Sequence, residues 1–192
     1  IIDGNLAELN VIGNQLIATA KNSIDLNTKI NILDSTTLAT GQGNIVINEI
    51  DSLDIRNVHA ANGNVVIKGG NLNVQNISAL DQGKNEGGNV SLYSTGSIDD
   101  DGVNTTQIKA KKLTINAKGS VGGNLLETDQ NRSLDTMVDE LAIQAGGDVS
   151  FIRGYTLSGT IDDNHISVNQ GDIYSIGAHG GASIGLSFGP YF

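Results

Sequence analysis

The sequence predicts an all-β chain wound as a parallel β-helix, a solenoid with about three short strands per coil. Three observations carry that prediction. Short runs alternate Ile, Val or Leu with polar residues along most of the chain, and this is the period of a strand with one buried face. Gly-Asn and Gly-Asp pairs precede many of these runs and return after roughly 20 to 25 residues, at Gly43, Gly63 and Gly88 and again at Gly147 and Gly171. Asn recurs after Gly at equivalent positions, Asn44, Asn64, Asn71 and Asn89. Stacked coils would let such amides bond to one another along the axis, as in cross-β ladders. The glycines are expected to supply left-handed turns. An antiparallel sandwich or barrel fits less well. The runs are short and alike, and the turn signals fall at a coil period rather than between every pair of strands.

The elements follow in order. Residues 1–42 are the less regular part, and "IIDGNLAELNVIGNQLIATA" (1–20) reads as a cap or the end of preceding coils. Strands are predicted in "NSIDLNT" (22–28), "GNIVI" (43–47), "DSLDI" (51–55), "GNVVI" (63–67), "GNLNV" (70–74) and "GNVSL" (88–92). They continue in "KKLTI" (111–115), "DELAI" (139–143), "GDVSF" (147–151), "HISV" (165–168) and "GDIYS" (171–175). Ile45, Ile47, Val65, Ile67, Val90, Leu92, Val149 and Phe151 are the expected inward side chains. In 133–145, "SLDTMVDELAIQA", the residues Leu134, Met137, Val138 and Leu141 have helical spacing. That segment reads as a loop or short helical turn leading into a strand at Leu141. Residues 79–88, 99–109 and 122–136 depart from the repeat and are expected as loops extruded from the rod. The aromatic end, 181–192, is expected to cap the last coil through Phe188, Tyr191 and Phe192, or alternatively to pack onto a next coil or a partner. No composition break divides the 192 residues, so one domain, 1–192, is expected.

Composition narrows the function. Hydrophobic residues make up 38 % and aromatics 4 %, so the core must be thin and aliphatic. The net charge of −10 argues against nucleic acid and against anionic membrane surfaces as partners. There is no cysteine, which excludes disulfides, thiolate metal sites and a Cys nucleophile. No run reaches the roughly 18 apolar residues of a membrane span. The opening Ile1-Ile2-Asp3-Gly4 reads as a mature form or an excised segment.

Asp99-Asp100-Asp101-Gly102 is the densest acidic cluster and the candidate metal site, with calcium as the possible ion because it takes carboxylate and carbonyl oxygens. Its plain reading is a solvated turn. The spacing matches neither an EF-hand loop nor a Gly-rich calcium nonapeptide. Asp162-Asp163-Asn164 is a weaker case of the same kind. Asp99 and Asp101 could also stand close enough to act as a glycosidase pair. Against that, the chain has no Trp for a sugar platform, and Arg132 and Arg153 are not grouped with them. His59, His165 and His179 lack ligand spacing. Lys109, Lys111, Lys112 and Lys118 form a local basic strip, read as outward residues of one strand or as a contact for an anionic polysaccharide or a protomer. No Ser sits in a nucleophile elbow and no Gly-Lys-Ser/Thr loop is present, so no catalytic residue and no cofactor site are assigned.

"GGNVSLYSTGSIDDDG" (87–102), "KKLTINAKGSVGG" (111–123) and "LETDQNRSLDTMVDELAIQAGGDVSF" (126–151) occur in an order that resembles the repeats of filamentous-haemagglutinin-like exoproteins of Gram-negative bacteria. The resemblance spans residues 43–185 and is weak over 1–42. It implies a right-handed parallel β-helix rod, exported to the cell surface, acting in attachment or biofilm. It implies partners that are surface proteins, polysaccharides or neighbouring coils of a longer chain. The competing expectation is a β-helix hydrolase or lyase acting on polysaccharide.

Overall fold

A computed structural model gives the architecture. It describes the chain except residues 5–7, 39–42, 81–86, 104–106, 123–132, 154–163, 169–172, 177–184 and 189–192. The described residues form an all-β parallel β-helix with three faces.

The first face stacks β1 (Val11–Ile12), β3 (Ile24–Lys29), β5 (Ile45–Glu49), β7 (Val65–Gly69) and β10 (Asn89–Ser94). The second halves of β12 (Gln107–Ala117) and β13 (Leu134–Ala145) follow, then β15 (Asn164–Val168) and β17 (Gly185–Phe188). The second face begins with the first residues of β2 (Gln15–Ala20), β4 (Ile32–Thr37) and β6 (Leu53–Ala60). It continues through β8 (Leu72–Val74), β11 (Ile98–Asp100), Val121, β14 (Val149–Arg153) and β16 (Ile173–Ile176). The third face holds the later parts of β2, β4 and β6, then β9 (Asn76–Ser78), the starts of β12 and β13 and the end of β14. Every described strand pair is parallel and joins residues one coil apart, which a sandwich built from hairpins cannot do.

Alternation produces this directly. On the first face Ile24, Ile45, Val65, Val90, Leu113 and Leu141 stack in register, and so do Leu26, Ile47, Ile67, Leu92, Ile115 and Ile143. All are buried. The described core consists of Ile, Leu, Val and Ala, as the low aromatic content requires. The inward positions expected from the sequence are buried from Ile45 through Val149, while the side chain of Phe151 lies outside the described residues. Where β6 turns from the second face to the third, the register with β4 slips by one residue after Leu33, a bulge that bends the strand.

Three expectations change, and the fourth falls largely outside the described residues. Residues 134–145 are one strand, not a loop or helical turn. Thr136, Val138, Leu141, Ile143 and Ala145 align with inward residues of β12, and that template one coil back overrides the helical spacing. Parallel in-register pairing already starts at β2, over Gln15–Ala20, inside the stretch expected to be less regular. The loops are shorter than expected: Asp99 and Asp100 belong to β11, residues 107–109 to β12 and 134–136 to β13, while an antiparallel bridge between Leu80 and Gly87 closes the first excursion. Phe188 ends β17 in register with Val168, and Tyr191 and Phe192 lie outside the described residues.

The glycines repeat for a reason other than the one expected. Among the described glycines, positive φ occurs at Gly102 (79°) and Gly122 (76°), not at Gly43, Gly63 or Gly88. Those three stack on one another so closely that a Cβ at Gly63 would overlap the Gly43 carbonyl, and one at Gly88 would overlap the Gly63 carbonyl. Replacing Gly63 with Ala must push two coils apart. We expect a loss of about 1–3 kcal/mol, measured by chemical denaturation.

The Asn residues also act differently. Asn44 Oδ1 accepts the Asn64 backbone N–H at 2.8 Å, and Asn64 Oδ1 accepts that of Asn89 at 2.8 Å. The ladder therefore runs from side chain to backbone rather than amide to amide. Asn71 stands at another corner, in a column where Ser52 Oγ accepts from Asn71 N–H, Asn71 Oδ1 from Ser97 N–H and Ser97 Oγ from Ser120 N–H. Amide-to-amide bonds occur elsewhere, from Asn31 to Asn14, Asn48 to Asn27 and Asn76 to Asn57.

Candidate functional site: a carboxyl corner

The second face carries an inward column of Leu33, Ile55 and Val74, each fully buried. The next residue in register is Asp100, so a carboxyl group stands where three aliphatic side chains precede it. Asp100 is 8 % exposed. Its Oδ2 accepts the Gly102 N–H at 2.9 Å, while Oδ1 is buried without a hydrogen-bond partner among the described residues. Asp101, next in sequence, accepts the Val103 N–H at 3.0 Å. Asp135, near the start of β13, is also 8 % exposed, and its Oδ2 is likewise buried without a partner among the described residues. Burial, with the charges of Asp101 and Asp135 added, pushes the Asp100 pKa up to about 7 despite the opposing Gly102 N–H. Burial and the Asp101 charge push Asp135 up to about 6.

Part of the calcium candidate is thus placed together. Asp99 sits in register with Asn73 and is partly buried, whereas Asp100 points into the core. Among the described residues no three His, Asp or Glu side chains are arranged to hold a metal ion. The sequence reading missed Asp135, because it assigned 122–136 to a loop.

The other candidates stay apart. Asp162, Asp163, His179 and Arg132 lie outside the described residues. His59 lies in register with Ser78, and burial lowers its pKa. His165 stands in register with Ala142 and Gly185. The lysine strip is split by the bend in β12: Lys109 lies on the third face and Lys112 on the first, where it pairs with Glu140 at 3.1 Å.

A second carboxylate escaped the sequence reading. Glu49 is buried at an inward position after Ile45 and Ile47, and the alternation I-V-I-N-E signals it. Its Oε2 accepts from Thr28 Oγ1 at 2.8 Å and Ile30 N–H at 2.9 Å, one coil back. Its Oε1 accepts from the N–H groups of Ile50 at 2.9 Å and Asp51 at 3.0 Å. The group is saturated and acts as a staple. Nearby, an open depression of ≈ 400 Å³ is lined by Ile12, Asn14, Lys29, Asn31 and Asp51 among others. Its one carboxylate, Asp51, already faces Lys29 at 3.6 Å.

Comparison with protein-family models, curated proteins and solved structures finds no match to this chain.

Proposed function

We propose that this chain is a structural and adhesive rod segment of a secreted bacterial cell-surface or biofilm-matrix protein. The observation that supports this most is the continuous stack of like coils with polar ladders on the outside. That architecture supplies length and a repeated surface. The described depression offers a single carboxylate, already paired, and no converging catalytic set. Partners in this reading are a surface protein or a polysaccharide held by exposed Asn, Lys and Tyr side chains. Tyr93 is one such group, with Lys68 Nζ 6.0 Å from its ring centre. Each polar contact contributes about 1 kcal/mol, so affinity comes from many copies along a rod.

The competing reading, a polysaccharide hydrolase or lyase, draws on the raised pKa values at Asp100 and Asp135. Their burial leaves almost no carboxyl surface for a sugar to reach. The test incubates the purified chain with acidic and neutral polysaccharides, in monomeric and bead-tethered form. Binding by the tethered array with no new reducing ends or unsaturated products is the expected result. Turnover that disappears in Asp99→Asn or Asp101→Asn would establish the enzyme instead.

A further inference from the structure

We propose that the corner joining Asp100 to Asp135 is a proton-operated clasp, closed when these buried carboxyl groups hold protons and loosened when they lose them. Geometry carries this. The column Leu33, Ile55, Val74 is fully buried, and Asp100 extends it with a polar group whose Oδ1 has no hydrogen-bond partner among the described residues. Asp135 brings a second buried oxygen in the same condition. A neutral carboxyl fits such a place at modest cost, whereas an ionised one without a counter-charge does not.

Among the described residues, the surrounding charges leave the corner acidic. β8 contributes Leu72, Asn73 and Val74, none of which titrates. Asp101 adds a negative charge that acts on both groups. On β13, Asp139 is also buried and Glu140 is engaged with Lys112. The flanking strands carry Lys109, Lys111 and Lys112 of β12 and Arg153 of β14; Lys109 is in register with Met137, Lys112 with Glu140 and Arg153 with Thr136. Neither Lys109 nor Arg153 is in register with Asp135 itself.

The direction of the response follows from the environment. Both carboxyl groups bind protons more tightly folded than unfolded. Their contribution to stability is complete below the ordinary carboxylate range and is lost as pH rises through about 6 for Asp135 and about 7 for Asp100. His59 works in the opposite direction, since burial favours its neutral form, so the clasp is read from differences between variants.

The experiment measures thermal midpoints of the whole chain between about pH 5 and pH 8, for the wild type, Asp100→Asn, Asp135→Asn and Asp100→Val. The wild-type midpoint is expected to fall by about 5 °C or more across this range. Asp100→Asn should lose at least about half of that fall, and Asp100→Val, which continues the Val74 column, should melt higher than the wild type at the alkaline end. A flat wild-type profile, or variants that keep the full wild-type slope, would overturn the proposal. Millimolar calcium is the control. A midpoint at the alkaline end restored by calcium in the wild type but not in Asp100→Asn would replace the proton with a cation. Should the variants fail to fold, carbon NMR of the wild-type carboxyl groups decides: an Asp100 titration above about 6 supports the clasp, and one in the ordinary carboxylate range overturns it.

Discussion

Val65→Asp is expected to destabilise the rod by roughly 3–5 kcal/mol. Val65 is fully buried and lies in register between Ile45 and Val90, with Ile67 two residues on in the same strand. An aspartate there must either ionise among aliphatic side chains or spend free energy to take up a proton, and no donor faces it from the neighbouring coils. Solenoid stability is close to a sum of coil and neighbour terms, so damage at one rung weakens both interfaces of that rung. The neighbouring Val66→Asp is the control. Val66 points outward between Val46 and Ser91 and is only partly buried, so this substitution should cost far less, within about 1 kcal/mol. Denaturant titration of the two variants separates them, and equal losses would mean that the inward assignment of the first face is wrong.

Glu49→Leu is expected to cost about 3–5 kcal/mol, because two buried and two part-buried donors lose their acceptor together. The Ile30, Ile50 and Asp51 N–H groups and the Thr28 hydroxyl all converge on this carboxylate. Two of these donors belong to the preceding coil, so the side chain joins coils as well as closing its own corner. Leucine matches the stem in size but accepts no hydrogen bond. Glu49→Gln keeps one acceptor oxygen and should lose less, about 1–2 kcal/mol. Hydrogen exchange localises the damage: Ile30, Ile50 and Asp51 amides should lose protection in Glu49→Leu while the distant Leu113 and Ile115 amides keep theirs. Protection retained at Ile30 and Ile50 would refute the staple.

Alternation and turn residues alone determined the first-face strands from Ile24 to Ile143, their inward residues and the coil period. These are short-range properties: a strand with one buried face repeats every two residues, and any coil that stacks on its neighbour must repeat at a similar length. Three things had to wait for the tertiary structure. The meaning of Gly43, Gly63 and Gly88 depends on how near the next coil passes, which no local φ preference encodes. The strand at 134–145 was hidden because Leu134, Met137, Val138 and Leu141 satisfy a helical spacing, and only pairing with β12 selects the extended form. The carboxyl corner depends on residues far apart in sequence. Asp100 reads as part of a hydrophilic Asp-Asp-Asp-Gly turn until the register with Val74 points it inward, and Asp135 joins it only after the chain has travelled around a full coil. Burial and the field of neighbouring charges are properties of the folded arrangement, so the charge of Asp135 reaches Asp100 only there.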